Sequence, residues 1–142
     1  MIISASQNHL PEILNIERES FPKPWTEYHF KCDLNNKISV NWVYQNDNHV
    51  VGYLFGWQVM DEYHLNNIAV AESFRGNGIG IHLLKNMLSY LKDLKVKSVF
   101  LEVSSSNLPA RKLYEKMSFV PQSERKDYYT KGDDAVLYTL EF

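Results

Sequence analysis

Three of the six glycines in the sequence, Gly76, Gly78 and Gly80, fall within one short segment. The patterning predicts a strand before this segment and an amphipathic helix after it. Glycine lets backbone N–H groups converge on a ligand, and the first N–H groups of a helix have no partner inside the helix. Because the helix dipole adds partial positive charge, the turn is suited to a phosphate or pyrophosphate, with Arg75 as a neighbouring cation. For the glycines alone, a turn that only joins strand to helix is the alternative.

The spacing of these glycines does not fit two well-known phosphate loops. The dinucleotide fingerprint G-x-G-x-x-G and the Walker loop G-x-x-x-x-G-K-[ST] both need glycine where this chain has Ile81. Lys85 is also misplaced for the Walker lysine. The segment from Arg75 to Gly80 instead reads R-x-x-G-x-G.

Two side chains downstream of the glycines could take part in proton transfer. Glu102 interrupts an apolar strand, where a buried carboxylate is costly unless it has a partner or a purpose. A glutamate that faces water from a strand edge is the alternative. Tyr114 lies on a helix that Pro109 begins, where most tyrosines are core aromatics. Asn107 precedes that helix and is expected to cap its first turn.

These features together resemble the GNAT-type N-acetyltransferases, and their order and spacing look like the ribosomal-protein-alanine N-acetyltransferase branch of that family. The motifs that carry the resemblance are Asn67-Ile68-Ala69-Val70, Arg75 to Gly80, Leu101-Glu102-Val103, Asn107 and Leu113 to Phe119, with further matches at Pro24-Trp25-Thr26-Glu27 and Tyr128-Tyr129. The match covers nearly the whole chain. The chain departs from the family where Ser118 replaces a frequent glycine and where Thr130 replaces a frequent proline.

The resemblance implies an enzyme that uses acetyl-CoA as co-substrate and no metal. It assigns Glu102 as general base, Tyr114 as the acid that protonates the departing sulfur, and the Val70 N–H as oxyanion donor. The residues that it implies for acetyl-CoA binding are Ile68, Ala69, Val70, Arg75, Gly76, Asn77, Gly78, Ile79, Gly80, Ile81 and Asn107. The acceptor that it implies is a protein N-terminus, the alanine of ribosomal small-subunit protein eighteen.

The chemistry of acetyl transfer to an amine by itself calls for a base, an oxyanion donor and an acid. An α-amino group has a pKa near 7.7–8.0, so a base must remove its proton before it attacks at neutral pH. Attack on a thioester creates an oxyanion that backbone N–H groups stabilise. A nearby acid can then protonate the thiolate as it leaves.

The acceptor side and the reaction class leave alternatives open. Trp25, Asp61, Glu62, Tyr128 and Tyr129 are candidates for the wall of a peptide groove, against the alternatives of core packing for the aromatics and solvated loops for the acids. One alternative function is acetyl transfer to a small amine or a lysine side chain, because a fold does not fix its substrate. Another is a CoA-binding module without catalysis, which would need neither Glu102 nor Tyr114.

The elements that must position these residues form an α+β pattern. We expect helices after Pro11, after Thr26, after the glycines and after Asn107. Strands are expected over residues 39–45, 50–60, 64–70, 96–104 and 135–142. They predict a mixed, mostly antiparallel sheet in a single domain over residues 1–142, with helices on both faces. The resemblance adds a three-layer GNAT-like arrangement and a V-shaped cofactor cleft between the strand that ends near Val70 and the strand of Glu102.

Composition sets the remaining bounds. The 142 residues carry 15 Lys and Arg against 17 Asp and Glu, a net charge of -2, which argues against a broad surface for nucleic acid or anionic membrane. A single cysteine, Cys32, excludes an internal disulfide and a cysteine-based zinc site. With neither a signal peptide pattern nor a long apolar run, a cytoplasmic protein is expected.

Overall fold

A computed structural model describes residues 1–142. The chain forms seven strands and four α-helices, with two short 3-10 turns at Gln7–His9 and Glu72–Phe74. In chain order the elements are β1 (Ile2–Ser4), α1 (Leu10–Ser20), α2 (Glu27–Asn35), β2 (Trp42–Asn46), β3 (His49–Val59), β4 (Glu62–Val70), α3 (Ile79–Asp93), β5 (Ser98–Ser104), α4 (Leu108–Lys116), β6 (Val120–Thr130) and β7 (Asp133–Glu141).

The strands form one sheet in the order β1-β2-β3-β4-β5-β7-β6. Only β4 and β5 pair in parallel, and every other pair of neighbours is antiparallel. A parallel connection needs a crossover, which α3 supplies between β4 and β5. The predicted mixed, mostly antiparallel sheet is confirmed.

Each face of the sheet is covered by a pair of helices. Residues of α1 and α2, such as Ile13 and Phe30, pack with Val43 and Phe55 in one buried cluster. The apolar stripe of α3 and Tyr114 of α4 belong to a second buried cluster with residues of β4, β5 and β7. The helices therefore lie on both faces, as the three-layer arrangement predicts.

A β-bulge at Asn66 redirects the side chains of β4. The register with β3 passes from Gly56 opposite Leu65 to Phe55 opposite Asn67, so that Asn66 is left over. Leu65 packs in the cluster under α3, whereas Ala69, an even number of residues later, packs in the cluster under α1. A bulge re-aims side chains in this way, and here it turns Asn67 toward α1.

Helix boundaries follow the predicted caps. The Thr26 side chain accepts a hydrogen bond from the His29 N–H at 3.1 Å, and that of Asn107 accepts from the Ala110 N–H at 3.3 Å. A side-chain oxygen at this position satisfies a donor that the helix itself leaves unpaired.

The sequence analysis misses two strands. β1 has three residues, and β6 is exposed along its whole length and pairs only with β7. An edge strand without a buried face shows no alternation of apolar and polar residues, which is why the pattern of β6 gives no signal. No helix is long and apolar enough to span a bilayer.

Candidate active site

The parallel pairing of β4 and β5 stops in the middle of the sheet. The last paired residues are Leu65 and Leu101. Beyond them β4 stays with β3 as far as Val70, and β5 stays with β7 as far as Ser104. The two strands therefore diverge, which confirms the predicted V-shaped splay. A cleft of about 1080 Å³ occupies the splay and continues between the start of α3 and α4.

The free edge of β4 presents backbone groups to this cleft. The Ala71 N–H donates to the Val51 carbonyl oxygen at 2.8 Å. Hydrogen-bonded pairs alternate along an antiparallel ladder, so Ala69 also directs its backbone groups toward β3. Ile68 and Val70 direct theirs the other way, into the splay. Ile68, Ala69 and Val70 are all predicted to contact acetyl-CoA. Ala69 lines the cleft, but its backbone N–H is directed to β3 and is not available to a ligand.

The glycine segment forms the mouth of the cleft at the start of α3. Gly76 and Gly78 both have φ +81°, the left-handed region that glycine adopts without strain. The N–H groups of residues 76–81 donate no hydrogen bond within the protein, and the first bond of the helix runs from the His82 N–H to the Gly78 carbonyl. Several free donors at the positive end of a helix dipole make an anion site.

The side chains of Arg75 and Asn77 form hydrogen bonds within the protein that stabilise this loop. Arg75 Nε donates to the Val70 carbonyl at 2.9 Å, and Nη2 donates to Ser20 Oγ at 2.9 Å. The Asn77 amide donates to the Phe74 carbonyl at 3.1 Å, and Asn77 does not line the cleft. Arg75 thus joins the ends of α1 and β4, and Asn77 presents only its backbone N–H.

Glu102 lies on the β5 side of the splay, just beyond the last paired residue. Its side chain is 28% exposed, and Oε1 is 3.8 Å from Arg125 Nη2. The apolar neighbours Leu101 and Val103 face the α3 layer and are buried, so Glu102 points to the opposite face. The carboxylate therefore lines the cleft and keeps contact with water.

Tyr114 enters the cleft from α4. Its ring is buried against Phe119 and Tyr138, and its hydroxyl makes no hydrogen bond within the protein. Burial, followed by the charge that a nearby Tyr129 would carry, raises the pKa of Tyr114 well above its usual value. Arg111 fixes the helix, since its Nε donates to Tyr138 Oη at 3.0 Å and its Nη1 donates to the Ser105 carbonyl at 3.0 Å.

Tyr129, near the end of β6, lines the same cleft as Glu102 and Tyr114. Burial, then the charges of Glu102, Tyr128 and Asp133, raise the pKa of Tyr129 to about 12. Its own electrostatic effect reaches Tyr114. The cleft thus holds a carboxylate, two protonated phenols and an unoccupied set of backbone donors, which are the groups that acyl transfer to an amine requires.

Comparison with known proteins decides the family. Residues 10–119 match the acetyltransferase (GNAT) family. The chain belongs to this family.

Named relatives of this GNAT enzyme are N-acetyltransferases. The [ribosomal protein bS18]-alanine N-acetyltransferase of Escherichia coli K12 is 30% identical over 142 residues, 98% of this chain and 95% of the relative. An N-alpha-acetyltransferase of Sulfolobus acidocaldarius is 32% identical over 146 residues, 94% of this chain and 87% of the relative. The crystal structure of the ribosomal-protein-S18-alanine N-acetyltransferase from Escherichia coli superposes with a TM-score of 0.94 at 28% identity, covering 99% of this chain and 92% of that one.

The cleft of this GNAT acetyltransferase brings together all but one of the residues predicted for its site. The predicted residues that line it are Ile68, Ala69, Val70, Arg75, Gly76, Gly78, Ile79, Gly80, Ile81, Glu102, Asn107 and Tyr114. Their individual roles stay predictions. No group of three or more His, Cys, Asp or Glu side chains is placed to hold a metal ion.

The candidates for the acceptor wall divide into two sets. Trp25 and Tyr129 line the cleft. Asp61 and Glu62 lie at the opposite end of β4, where Asp61 pairs with Lys97 at 3.8 Å and β4 is still joined to β5. Tyr128 lies outside the lining, with the Arg125 guanidinium 5.3 Å from its ring centroid.

Three charged residues that line the cleft, Glu17, Lys23 and Asp133, are absent from the sequence predictions, and Glu17 is the most buried of them. Glu17 of α1 lines the cleft but is only 1% exposed. Tyr53 Oη donates to its Oε1 at 2.6 Å, the Asn67 amide donates to Oε1 at 2.7 Å, and the Trp25 N–H donates to Oε2 at 2.8 Å. The sequence does contain a signal for a buried Glu17. Glu17 follows Ile13 by four residues and so lies on the apolar stripe of α1.

Proposed function

We propose that this enzyme transfers an acetyl group from acetyl-CoA to the α-amine of a protein N-terminus, and that its acceptor is the N-terminal alanine of ribosomal protein bS18. The observation that carries the proposal is that Glu102 and Tyr114, on separate elements, line one cleft beside the free N–H groups of residues 76–81. A non-catalytic module has no use for the first two. The name of the Escherichia coli relative supports the choice of acceptor.

The cleft fits the donor molecule in two places. The unpaired N–H groups of residues 76–81 suit a pyrophosphate, and a Cβ built on Gly76 or Gly78 meets no atom within 4 Å, so the loop surface is open. The unpaired backbone groups of Ile68 and the unpaired N–H of Val70 suit the amides of an extended pantetheine arm, which would add to β4 as a strand does. Acetyl-CoA supplies the activated thioester carbonyl.

Glu102 acts as the general base. Its carboxylate reaches the cleft, retains contact with water and has only a long ion pair to Arg125, so it is free to take a proton from the acceptor ammonium directly or through one water. The neutral amine then forms an N–C bond to the thioester carbonyl carbon. The Val70 N–H donates to the carbonyl oxygen as negative charge develops on it.

Tyr114 completes the transfer by donating its phenolic proton to sulfur as the C–S bond breaks. The phenol is protonated at neutral pH whether or not its pKa is raised, so its proton is available when a thiolate forms beside it. The nitrogen loses two protons in all, one to Glu102 before the attack and one from the tetrahedral intermediate. One of them replaces, through solvent, the proton that Tyr114 has given to sulfur, and the other is released to water, so the products are an N-acetyl peptide, CoA thiol and one proton.

The acceptor approaches between α1–α2 and β6. Trp25 and Tyr129 form opposite parts of this opening, and the carboxylates of Glu17 and Glu102 favour a cationic amine. Alanine is a small first residue, which suits an opening lined by two aromatic rings.

The test is acetyl transfer to a panel of amines, with mass spectrometry to locate the acetyl group. The panel contains a hexapeptide with the bS18 N-terminus, the same peptide with a blocked α-amine and an added lysine, and a polyamine. The proposal predicts one acetyl group, on the α-amine of the first peptide. Transfer only to lysine or the polyamine would replace the acceptor but keep the chemistry, and donor binding without any transfer would favour a non-catalytic module.

A further inference from the structure

The buried carboxylate of Glu17 has no part in the proposed proton transfers, yet it is one of the most enclosed charged groups of the protein at 1% exposure. A buried charge is costly unless it is paired or fully hydrogen-bonded. Glu17 forms no ion pair, because no basic side chain has a nitrogen within 4.0 Å of it. Three neutral donors stabilise it instead, at 2.6, 2.7 and 2.8 Å.

The three donors come from three separate elements. Tyr53 belongs to β3, Asn67 belongs to β4 directly after the bulge, and Trp25 belongs to the segment between α1 and α2. One carboxylate therefore joins the helix that covers the sheet, the strand edge of the splay and the start of the acceptor opening. The bulge at Asn66 is what turns the Asn67 amide toward this face.

Trp25 is the member of this set that an acceptor would meet. The backbone N–H of Trp25 donates to Glu17 Oε2, and the Trp25 ring stacks on that of His29 at 3.7 Å between centroids. Trp25 also lines the cleft. The preceding residues Pro22 to Pro24 are exposed, so the Glu17 bond is the side-chain hydrogen bond that joins this part of the segment to α1.

We propose that Glu17 is a positioning residue for the acceptor: it fixes Trp25 and Asn67 at the acceptor end of the cleft, and its unpaired negative charge favours a peptide that carries a free α-ammonium. The inference rests on the proposed function, since it assumes that the acceptor enters beside Trp25. Glu17 does not touch the phosphate loop, so it contributes to acceptor binding and not to donor binding.

The first test is Glu17→Gln, which keeps the size of the side chain. The amide oxygen can still accept from Tyr53 and Asn67, but the amide nitrogen opposes the Trp25 N–H, so both the bond and the charge are lost. We expect the Kd of the bS18 peptide for the enzyme–CoA complex to rise about tenfold, whereas the Kd of acetyl-CoA changes by less than about twofold. Glu19→Gln, an exposed carboxylate on the same helix, is the matched control and leaves both values unchanged.

A second pair of variants covers the case in which Glu17→Gln does not fold. Tyr53→Phe removes one donor to Glu17, and Tyr63→Phe removes a buried hydroxyl that donates to the Val40 carbonyl at 2.7 Å, away from Glu17. The inference predicts that only Tyr53→Phe weakens peptide binding. Equal peptide affinity in the two variants, or a folded Glu17→Gln with wild-type peptide affinity, would overturn it. Binding is measured without turnover, so failure of acetyl transfer by the wild type would count against the proposed function alone.

Discussion

Leu65 and Leu101 are the last residues at which β4 and β5 pair, and the two strand residues assigned to the chemistry, Val70 and Glu102, lie beyond them on opposite arms of the splay. The ladders on the outer sides of both strands continue, so the opening is built into the sheet and needs no conformational change. A rigid opening of this kind holds two reactants close together, which lowers the entropic cost of their reaction.

Replacement of Glu102 by Gln is expected to lower kcat for the bS18 peptide by about 100- to 10,000-fold, the usual contribution of a general base. The amide has the shape of the carboxylate but cannot accept a proton at neutral pH. The Kd of acetyl-CoA should stay within about twofold of wild type, because the phosphate loop is not altered. Turnover and donor affinity are measured on the same preparation, with Glu124→Gln on exposed β6 as the control. Full activity of the Glu102 variant would remove it as the base.

Replacement of Tyr114 by Phe should lower kcat by up to about 100-fold, since a thiolate is already a good leaving group and needs the acid less than an alkoxide would. Thermal stability should hardly change, because the hydroxyl has no partner within the protein to lose. A kcat lowered to this extent with an unchanged melting temperature would support the assignment. Tyr90→Phe, at a hydroxyl on the outer part of α3, is the comparison. A Tyr114 variant that melts early but turns over normally would show a structural role only.

Much of this architecture could be predicted from the sequence, because local rules decide it. Thr26 and Asn107 cap their helices as their types indicate, and the stripe from Leu83 to Leu91 is buried as its spacing predicts. Exposed β6 gave no periodic signal, although its Tyr129 was recognised as a candidate for the acceptor wall. The resemblance of the motifs to the family, and not the residues by themselves, selected the glycine segment, Glu102 and Tyr114, which the fold brings to one cleft.

The features that could not be predicted depend on how distant segments meet. The pairing of β4 with β3 decides whether the backbone groups of Ala69 or those of its neighbours face the cleft. The residue type of Ala69 gives no indication of this pairing. The contact of Glu17 with Asn67 needs the bulge at Asn66, and the separation of Asp61 from the cleft depends on which end of β4 opens. These are consequences of register, and a shift of one residue reverses them.

Substitution of Gly78 by Ala tests the loop. At φ +81° an alanine costs about 1–2 kcal/mol of stability, although its Cβ would meet no neighbouring atom. The strain should also move the N–H groups that begin α3, so we expect the Kd of acetyl-CoA to rise by about tenfold. Gly132→Ala, at φ +84° in the turn between β6 and β7, carries the same strain on a different element. It should lose similar stability and keep its affinity for the donor; equal losses of affinity in both variants would speak against a phosphate site.

Tyr129 is one of the tyrosines that make the stability of the protein depend on pH at alkaline pH. Burial and then the Glu102 charge raise its pKa to about 12 from an ordinary value of 10.0. The folded protein therefore holds the phenolic proton at a pH where the unfolded chain has lost it. This contribution to stability is complete below pH 10 and is lost as the pH rises through 12.

Glu102→Gln removes one of the causes of that shift, so it should lower the pKa of Tyr129 without reaching 10.0. The ultraviolet absorbance of tyrosinate, titrated in the wild type, in Glu102→Gln and in Tyr129→Phe, identifies the contribution of this tyrosine. An unchanged titration in the Glu102 variant would place the carboxylate too far from Tyr129 for the proposed arrangement.

The most direct test is amide chemical-shift mapping of the labelled protein during titration with acetyl-CoA, and of the enzyme–CoA complex during titration with the unblocked bS18 hexapeptide. Acetyl-CoA should shift the N–H resonances of residues 76–81 and of Ile68 and Val70 most strongly, and the peptide should then shift Trp25 and Tyr129. Shifts from acetyl-CoA that are confined to the outer face of α2 or to the end of β4 at Glu62 would contradict the claim that donor and acceptor meet in the splay.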